Sequence, residues 1–464
     1  MLLLAEAPTI DTGNSAWLLV SSALVLLMTP GLAFFYGGLN RSKSVLNMMM
    51  MSFSSIGLIS VLWLLYGFSL AFGSNDGEGL NKFIGSFTQY TGDKTDTIFA
   101  EIWGTTGIPV YAFMGFQMMF AIITVALISG AMSDRTKFAG WLVFAFGWFT
   151  LVYVPVAHWV WGGGFIGAEI HALDFAGGTA VHINAGAAAL AVALVLGKRV
   201  GWPKESFKPH NVPFVALGAG LLWFGWFGFN AGSELTVDGT TAVAFVNTQV
   251  ATAAALLGWI LVEWIRDGKP TLVGASSGAV AGLVAITPAC GFISPVYAVV
   301  LGIVAGAVCS LAVALKYKLG FDDSLDVVAV HFVGGWIGSL ALGFFANDAV
   351  NGAITDALGA DNGLFYGGGG AQLLRQFEAS GIVTVYSFVI AAVLALAVKY
   401  TIGFRVSAEA EVEGIDVAEH AESAYDTSPA GGGSSAGAFA LAGISPSGAA
   451  PESSADTPAE KVAG

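Results

Sequence analysis

Apolar residues gather in long unbroken runs along this chain, separated by short polar loops. Eleven runs stand out, at 14–38, 45–72, 103–131, 138–160, 175–197, 211–233, 242–265, 271–291, 295–315, 325–346 and 380–404. Each is about as long as a helix needs to cross the ~30 Å hydrocarbon core of a bilayer. The runs are too long for the strands of a membrane β-barrel and lack their strict alternation. The pattern therefore predicts an all-α polytopic membrane protein with eleven transmembrane helices and termini on opposite sides.

Basic residues choose the sides. One set of alternating loops holds Arg41, Lys43, Arg135, Lys137, Lys198, Arg199, Lys204, Lys208, Arg266, Lys269, Lys316 and Lys318, and Lys399 and Arg405 end the last run. That is 14 of the 18 basic residues; the opposite loops hold Lys82, Lys94 and Arg375, and Lys461 lies in the tail. The positive-inside rule then places the N-terminus outside and the C-terminus in the cytoplasm. Residues 1–7, MLLLAEA, lack a basic flank and are too short for a signal peptide, yet look like the end of one. Either start gives the same topology.

Composition supports this reading. Of 464 residues 55% are hydrophobic and 11% charged, against roughly 25% charged in soluble domains. A soluble enzyme is excluded. The net charge of −14 argues against a nucleic-acid partner. Cys290 and Cys309 lie in apolar runs and read as small packing residues. The 62 glycines sit largely within the runs, as close helix packing in a membrane requires.

Two runs begin alike. Asp174-Phe-Ala-Gly-Gly-Thr-Ala-Val-His182 leads to Gly186, and Asp326-Val-Val-Ala-Val-His331 leads to Gly335. These are the fifth and tenth runs, which enter from opposite faces. The pattern predicts an inverted repeat of five plus five helices, about 14–197 and 211–346, with an extra helix at about 380–404. Residues 1–404 form the transport domain in this scheme. Residues 405–426 are acidic and semi-regular, and 427–464 is a low-complexity stretch expected to be disordered. From 406 onward ten acids and one lysine supply nine of the 14 net negative charges.

Histidines His182 and His331 fall well inside runs, about 12 Å and 7.5 Å of helix from Asp174 and Asp326. Counted from opposite faces, both rings approach the midplane, where inverted-repeat transporters place their sites. Two core histidines satisfied by carbonyls would be the bland alternative; the cost of ionisable groups at that depth favours a functional pair. A metal site lacks a third ligand near either ring, and no cofactor is implied. Asp174 and Asp326 both sit where a helix starts and suit N-cap or first-turn positions. Asp174 could in addition set the field of a cation site. Phe116 and Phe120 are four apart, as are Phe229 and Ser233, so each pair shares a helix face. With Trp161 they suit ordinary packing or an interfacial belt, or together an aromatic cup for a cation with one hydroxyl acceptor.

These residues lie in motifs that resemble the ammonium transporter family (Amt/Mep/Rh), bacterial Amt branch. The motifs are Trp161-Gly-Gly-Gly, Ala172-Leu-Asp-Phe-Ala-Gly-Gly-Thr-Ala-Val-His-Ile-Asn-Ala185, Trp223-Phe-Gly-Trp-Phe-Gly-Phe-Asn-Ala-Gly-Ser233, Ala242-Val-Ala-Phe-Val-Asn-Thr248 and Thr287-Pro-Ala-Cys-Gly291. The resemblance spans about 14–426. It implies a homotrimer with one pore per protomer, in the plasma (bacterial inner) membrane, and no enzyme activity. By motif, Trp161, Phe116 and Ser233 would form an outer ammonium site. Phe120 and Phe229 would be the gate, His182 and His331 a proton-relaying pair in the pore, and Asp174 the supporting acid. The stretches Gly403–Arg405, Glu413–Asp416 and His420–Tyr425 resemble the family's regulatory C-terminus, which implies a possible PII-type signalling partner. The expected activity is uptake of ammonium, which is deprotonated so that ammonia crosses an apolar pore. An ammonium sensor signalling through the tail is the alternative. An intramembrane hydrolase has no triad or ligand cluster to work with. Glu169 and His171, in the loop before Asp174, are details that could tune the outer vestibule.

Overall fold

The computed structural model describes residues 9–75, 77–91, 94, 98 and 101–425. The MLLLAEA stretch and the 427–464 extension lie outside the described residues. Among the described residues, ten helices are long and apolar enough to cross a membrane. They are α1 (Thr12–Leu39), α2 (Val45–Phe72), α3 (Val110–Met132), α4 (Phe138–Ile170), α5 (Gly178–Leu196), α6 (Val212–Glu234), α7 (Gly239–Asp267), α9 (Pro295–Leu319), α10 (Val328–Phe345) and α11 (Ala371–Thr401). The eighth run forms a shorter apolar helix, α8 (Leu272–Ile286), of 15 residues. At 1.5 Å per residue it covers about 22 Å. Turns then carry the chain through 287–293, because Pro288 has no N–H to continue a helix.

Three boundaries differ from the sequence expectation. The third run does not begin as helix. Ile102–Trp103 (β1) pairs antiparallel with Ile108–Pro109 (β2) across a turn whose Gly104 and Gly107 take positive φ, and α3 follows. The last helix begins nine residues earlier than the hydropathy suggested, at Ala371 rather than 380. Its polar start is buried: the Gln376 amide nitrogen donates to Leu173 O at 2.8 Å and to Ser339 Oγ at 3.1 Å. The fourth run extends past 160 to Ile170, broken by bends at 162–163.

Backbones approach closely where glycines face each other's helices. A Cβ on Gly218 of α6 would lie 2.2 Å from Phe35 N of α1, and one on Gly306 of α9 would lie 2.0 Å from Ala255 O of α7. Only a residue without a side chain fits there, which is how lipid-embedded helices gain packing energy without a hydrophobic drive. Large apolar residues such as Leu217, Leu257 and Val385 remain half exposed or more on outer faces, as contact with acyl chains or a neighbouring membrane protein requires.

Beyond α11 the chain turns back along the face that carries the basic loops. Lys137 N donates to Phe404 O and Val406 N donates to Arg135 O, both at 3.0 Å. Two short helices follow, α12 (Ala408–Glu413) and α13 (Ile415–His420). Glu411 accepts from Val200 N at 2.6 Å and pairs with Arg405 at 2.7 Å. Asp416 accepts from Leu46 N and Asn47 N at 3.0 and 2.8 Å, capping the start of α2. Glu419 accepts from Phe138 N at 2.8 Å at the start of α4. Acids at helix N-termini are the favourable pairing, so the acidic composition of this segment has a docking use.

Beneath it lies a buried charge network. Arg135 is fully buried; it donates to Asp322 O, Ser324 Oγ and Ala131 O, and lies 3.6 Å from the Asp322 carboxylate. Burial pulls its guanidinium down to about 10, against the pull of Asp322. Arg199 makes a forked pair with Asp322 and also reaches Asp134.

Candidate functional site

The two histidine-bearing helices open in the same unusual way. Gly178–Ile183 and Val328–Val333 are π-helical turns, each holding its histidine before the chain relaxes into α-helix. Such widened turns redirect side chains and recur at functional sites. Here they bring His182 and His331, 149 positions apart, together with Nδ1 to Nδ1 at 3.3 Å and ring centroids at 5.3 Å. Both rings are buried. A hydrogen bond between two Nδ1 atoms needs one as donor and one as acceptor. His182 Nε2 has no hydrogen-bond partner among the described residues.

Trp226 of α6 stacks on His182 at 5.4 Å and 21°, its indole N–H donating to Thr287 Oγ1 at 2.9 Å. Trp226 belongs to the Trp223–Ser233 motif, and the sequence reading does not assign it to the site. Its spacing of three from Phe229, one face of a helix, was the available signal. The pair lines a narrow cavity of about 10 Å³ with Met28, Leu32, Phe35, Ile123, Leu127 and other apolar groups. That is space for roughly one water-sized molecule. Phe229 also lines it.

Phe229 and Phe120 stack face to face, centroids 4.1 Å apart at 22°. Phe116 lies 4.9 Å from Phe120, and Trp161 meets Phe120 edge-on at 6.1 Å and 88°. A Cβ on Gly232 would sit 3.0 Å from the Phe116 ring, so Phe116 lies against the turn that carries Ser233. Ser233 Oγ donates to Phe229 O at 2.8 Å. With its one hydrogen spent there, the hydroxyl can offer only lone pairs to a further partner. The structure thus joins Trp161, Phe116, Phe120, Phe229, His182 and His331 into one chain of ring contacts, with Ser233 on the Phe229 backbone.

Asp174 ties together the start of α5. Its two oxygens accept from Gly177 N and Gly178 N (2.8 and 2.6 Å) and from Thr179 N and Ala180 N (2.8 and 3.0 Å). It is the helix cap expected at that position. Burial pushes its carboxyl up, and the four N–H groups only partly offset that push. Its carbonyl oxygen accepts the Trp161 indole N–H at 2.9 Å, so one residue fixes both the start of α5 and the Trp161 ring. Gly177 permits the turn with φ 117°.

Asp326 departs from the sequence expectation. It stands at the start of the tenth helix, but with φ 62° its carboxylate pairs with Lys316 at 2.6 Å instead of capping. The cap is Asp323, whose Oδ2 accepts from Val328 N at 2.7 Å. Aligning the two halves on Val-His had matched Asp326 to Asp174. The match in structure is Asp323, which precedes His331 by the same eight residues that separate Asp174 from His182.

Among known proteins, the profile of the Ammonium Transporter Family matches residues 16–425. An ammonium transporter of Mycobacterium tuberculosis is 57% identical over 439 residues, covering 91% of this chain and 92% of that protein. One of Aquifex aeolicus is 49% identical, covering 91% and 95%. The crystal structure of Candida albicans Mep2 superposes with a TM-score of 0.78 at 36% identity, covering 86% of this chain and 87% of that one. A structure titled Sensor Amt Protein also scores 0.78, at 28% identity, covering 88% and 98%.

Proposed function

This chain belongs to the ammonium transporter family, a family of multi-pass membrane proteins, and on that premise we propose that it takes up ammonium by stripping its proton and passing ammonia through the His182–His331 pore. The single observation that carries the reading is the buried histidine pair lining an apolar cavity directly below two stacked phenyl rings. Transport is favoured over sensing because the relatives at 57% and 49% identity are named ammonium transporters, against 28% for the sensor structure. The basic loops face the cytoplasm in this reading, and the Asp174 face is external.

Ammonium and potassium are close in size and charge, so size alone cannot separate them. Ammonium donates hydrogen bonds and can lose a proton. Trp161 and Phe116 offer ring faces to a cation, and Ser233 offers the oxygen lone pairs left after its bond to Phe229 O. Past this point the path is apolar. Moving an unpaired ion into it costs several kcal/mol or more, and potassium has no means of escaping that cost. Ammonium escapes it by giving its proton to an acceptor. His182 Nε2 is the unpaired ring nitrogen nearest the gate, and the Nδ1 contact offers a route onward to His331. The Phe120–Phe229 stack excludes water until a substrate displaces a ring. The docked 405–420 segment supports regulation from the cytoplasm, including by a PII-type partner, and the family resemblance supports a homotrimer.

Purified protein in liposomes on a solid-supported membrane tests the reading. An ammonium pulse should evoke a current that potassium does not. Silence in both current and ammonia-driven internal alkalinisation would overturn it.

A further inference from the structure

The pore has an acid at each end, and the two are not equivalent. Asp174 spends both oxygens on four N–H groups. Asp323, eight residues before His331, takes Val328 N on Oδ2 and has the Val327 N–H beside its carboxylate, while Oδ1 has no well-formed hydrogen bond among the described residues, although the residue is 1% exposed. A buried carboxylate oxygen without a full donor set forfeits its hydration, so an oxygen left in this condition calls for a use. Val328 starts the turn that carries His331, about 4.5 Å along the helix. Tyr36 lies beside Asp323, close enough to feel its charge, and donates to Leu127 O at 3.0 Å. Leu127 and Phe35, the neighbour of Tyr36, line the histidine cavity. Asp323 therefore stands in the chain between the basic Lys316–Lys318 loop and the turn that carries His331.

We propose that Asp323 is the inner proton acceptor of this pore, taking through Oδ1 the proton that the histidines pass inward and releasing it to the cytoplasm. The proposal rests on the transport reading above. The step balances simply. The His331 imidazolium loses a proton into a chain of waters, and the far end of that chain delivers a proton to the Asp323 carboxylate, which becomes a carboxylic acid. That acid then gives the proton to cytoplasmic water or to the emerging ammonia, which leaves as ammonium.

The groups around Asp323 suit the task. Desolvation raises its carboxyl most and the Asp326 charge raises it further, while Lys316 and the Val328 and Val327 N–H groups oppose both; the result is about 6. Lys316 is held between the Asp326 carboxylate and the Asp323 main-chain oxygen, donating to the latter at 3.1 Å. Tyr36 faces the group from α1, and Arg135 with Asp322 occupies the adjoining network. The sign follows. Above about 6 on the cytoplasmic side Asp323 is ionised and can accept; as cytoplasmic pH falls through that value it is already protonated and the relay stalls.

The test is ammonium-evoked current and ammonium uptake in voltage-clamped oocytes expressing the full chain, with the cytoplasm acidified by a weak acid and surface expression matched. Wild-type current should fall as the cytoplasm passes from pH 7 toward 6. Asp323→Asn keeps an oxygen for the Val328 cap but cannot titrate. Its maximal current should drop roughly tenfold, less than the 100-fold a positioned proton acceptor can contribute, without the inner-pH dependence and with outer ammonium affinity within about twofold. Asp323→Glu should restore both current and pH dependence in part. Wild-type current and pH profile in Asp323→Asn would overturn the proposal while leaving transport intact. So would wild-type uptake without current, since ammonia would then cross without its proton. No wild-type uptake at all would overturn the transport reading, and this one with it.

Discussion

Removing the Asp174 side chain should damage the pore entrance more than any other single truncation outside the core. Four backbone N–H groups at 2.6–3.0 Å lose their only side-chain acceptor. Bonds to a charged acceptor contribute about 1.5–3 kcal/mol each before desolvation is deducted, a gross 6–12 kcal/mol for the set. Burial of the carboxylate offsets a large part, as its raised carboxyl shows. Asp174 is only partly buried, so water can replace some of the lost bonds. A net loss of about 2–4 kcal/mol is the expectation for Asp174→Ala, toward the upper end of the range for lost helix caps and beyond. The Trp161 indole is anchored on the Asp174 carbonyl, so the loosened turn should also move the aromatic wall. Apparent ammonium affinity should then fall about tenfold, which corresponds to ~1.4 kcal/mol. Asp174→Asn keeps one acceptor oxygen but turns an NH2 donor toward two of the four N–H groups, so it should regain only a small part of the thermal stability. Thermal unfolding in detergent and concentration-dependent uptake in liposomes measure the two effects. Asp174→Ala with wild-type stability and wild-type affinity would refute the capping argument outright.

Other perturbations have equally definite outcomes. Ser233→Ala removes the free lone pairs and should raise the half-saturating ammonium concentration about 10-fold or more, from the ~1.5–3 kcal/mol of a hydrogen bond to a charged group, with selectivity over potassium kept; unchanged affinity in a current titration would count against that site. Phe120→Ala should break the 4.1 Å stack, cost about 3–5 kcal/mol of stability and admit water, seen as faster osmotic shrinkage of liposomes; intact exclusion of water would deny the gate. Asp416→Ala frees two capped N–H groups of α2 at a cost of about 1 kcal/mol, and limited proteolysis should then cut between 405 and 420 faster than in wild type; an unaltered cleavage rate would mean the segment is held elsewhere.

Much of this architecture is legible because a bilayer tolerates few alternatives to helices. Where polar groups find partners inside the protein, hydropathy misleads: the buried Gln372 and Gln376 hid nine residues of α11. The hairpin at 102–109 was misread for the opposite reason. Ile102, Trp103 and Ile108 are apolar enough to join the run, but the intervening Gly104-Thr-Thr-Gly107 carried a turn signal that should have outweighed them. The histidine pair and the phenyl pairs were readable from repeat and spacing. The π-turns that aim the histidines were not, since nothing in Gly178–Ile183 or Val328–Val333 marks a widened turn. Asp323 is not legible because the repeated Val-His points to Asp326, whose φ of 62° cannot be seen in a sequence.

The central claim is that the histidine pair separates ammonium from potassium by removing a proton. The most direct measurement is the current evoked by equal ammonium and potassium pulses in liposomes carrying the His182→Leu, His331→Leu double variant, with thermal unfolding showing that it is folded. The account predicts that ammonium current collapses or that potassium current rises toward it, so that the wild-type preference is lost. A folded double variant that keeps wild-type ammonium current and still excludes potassium would contradict the account.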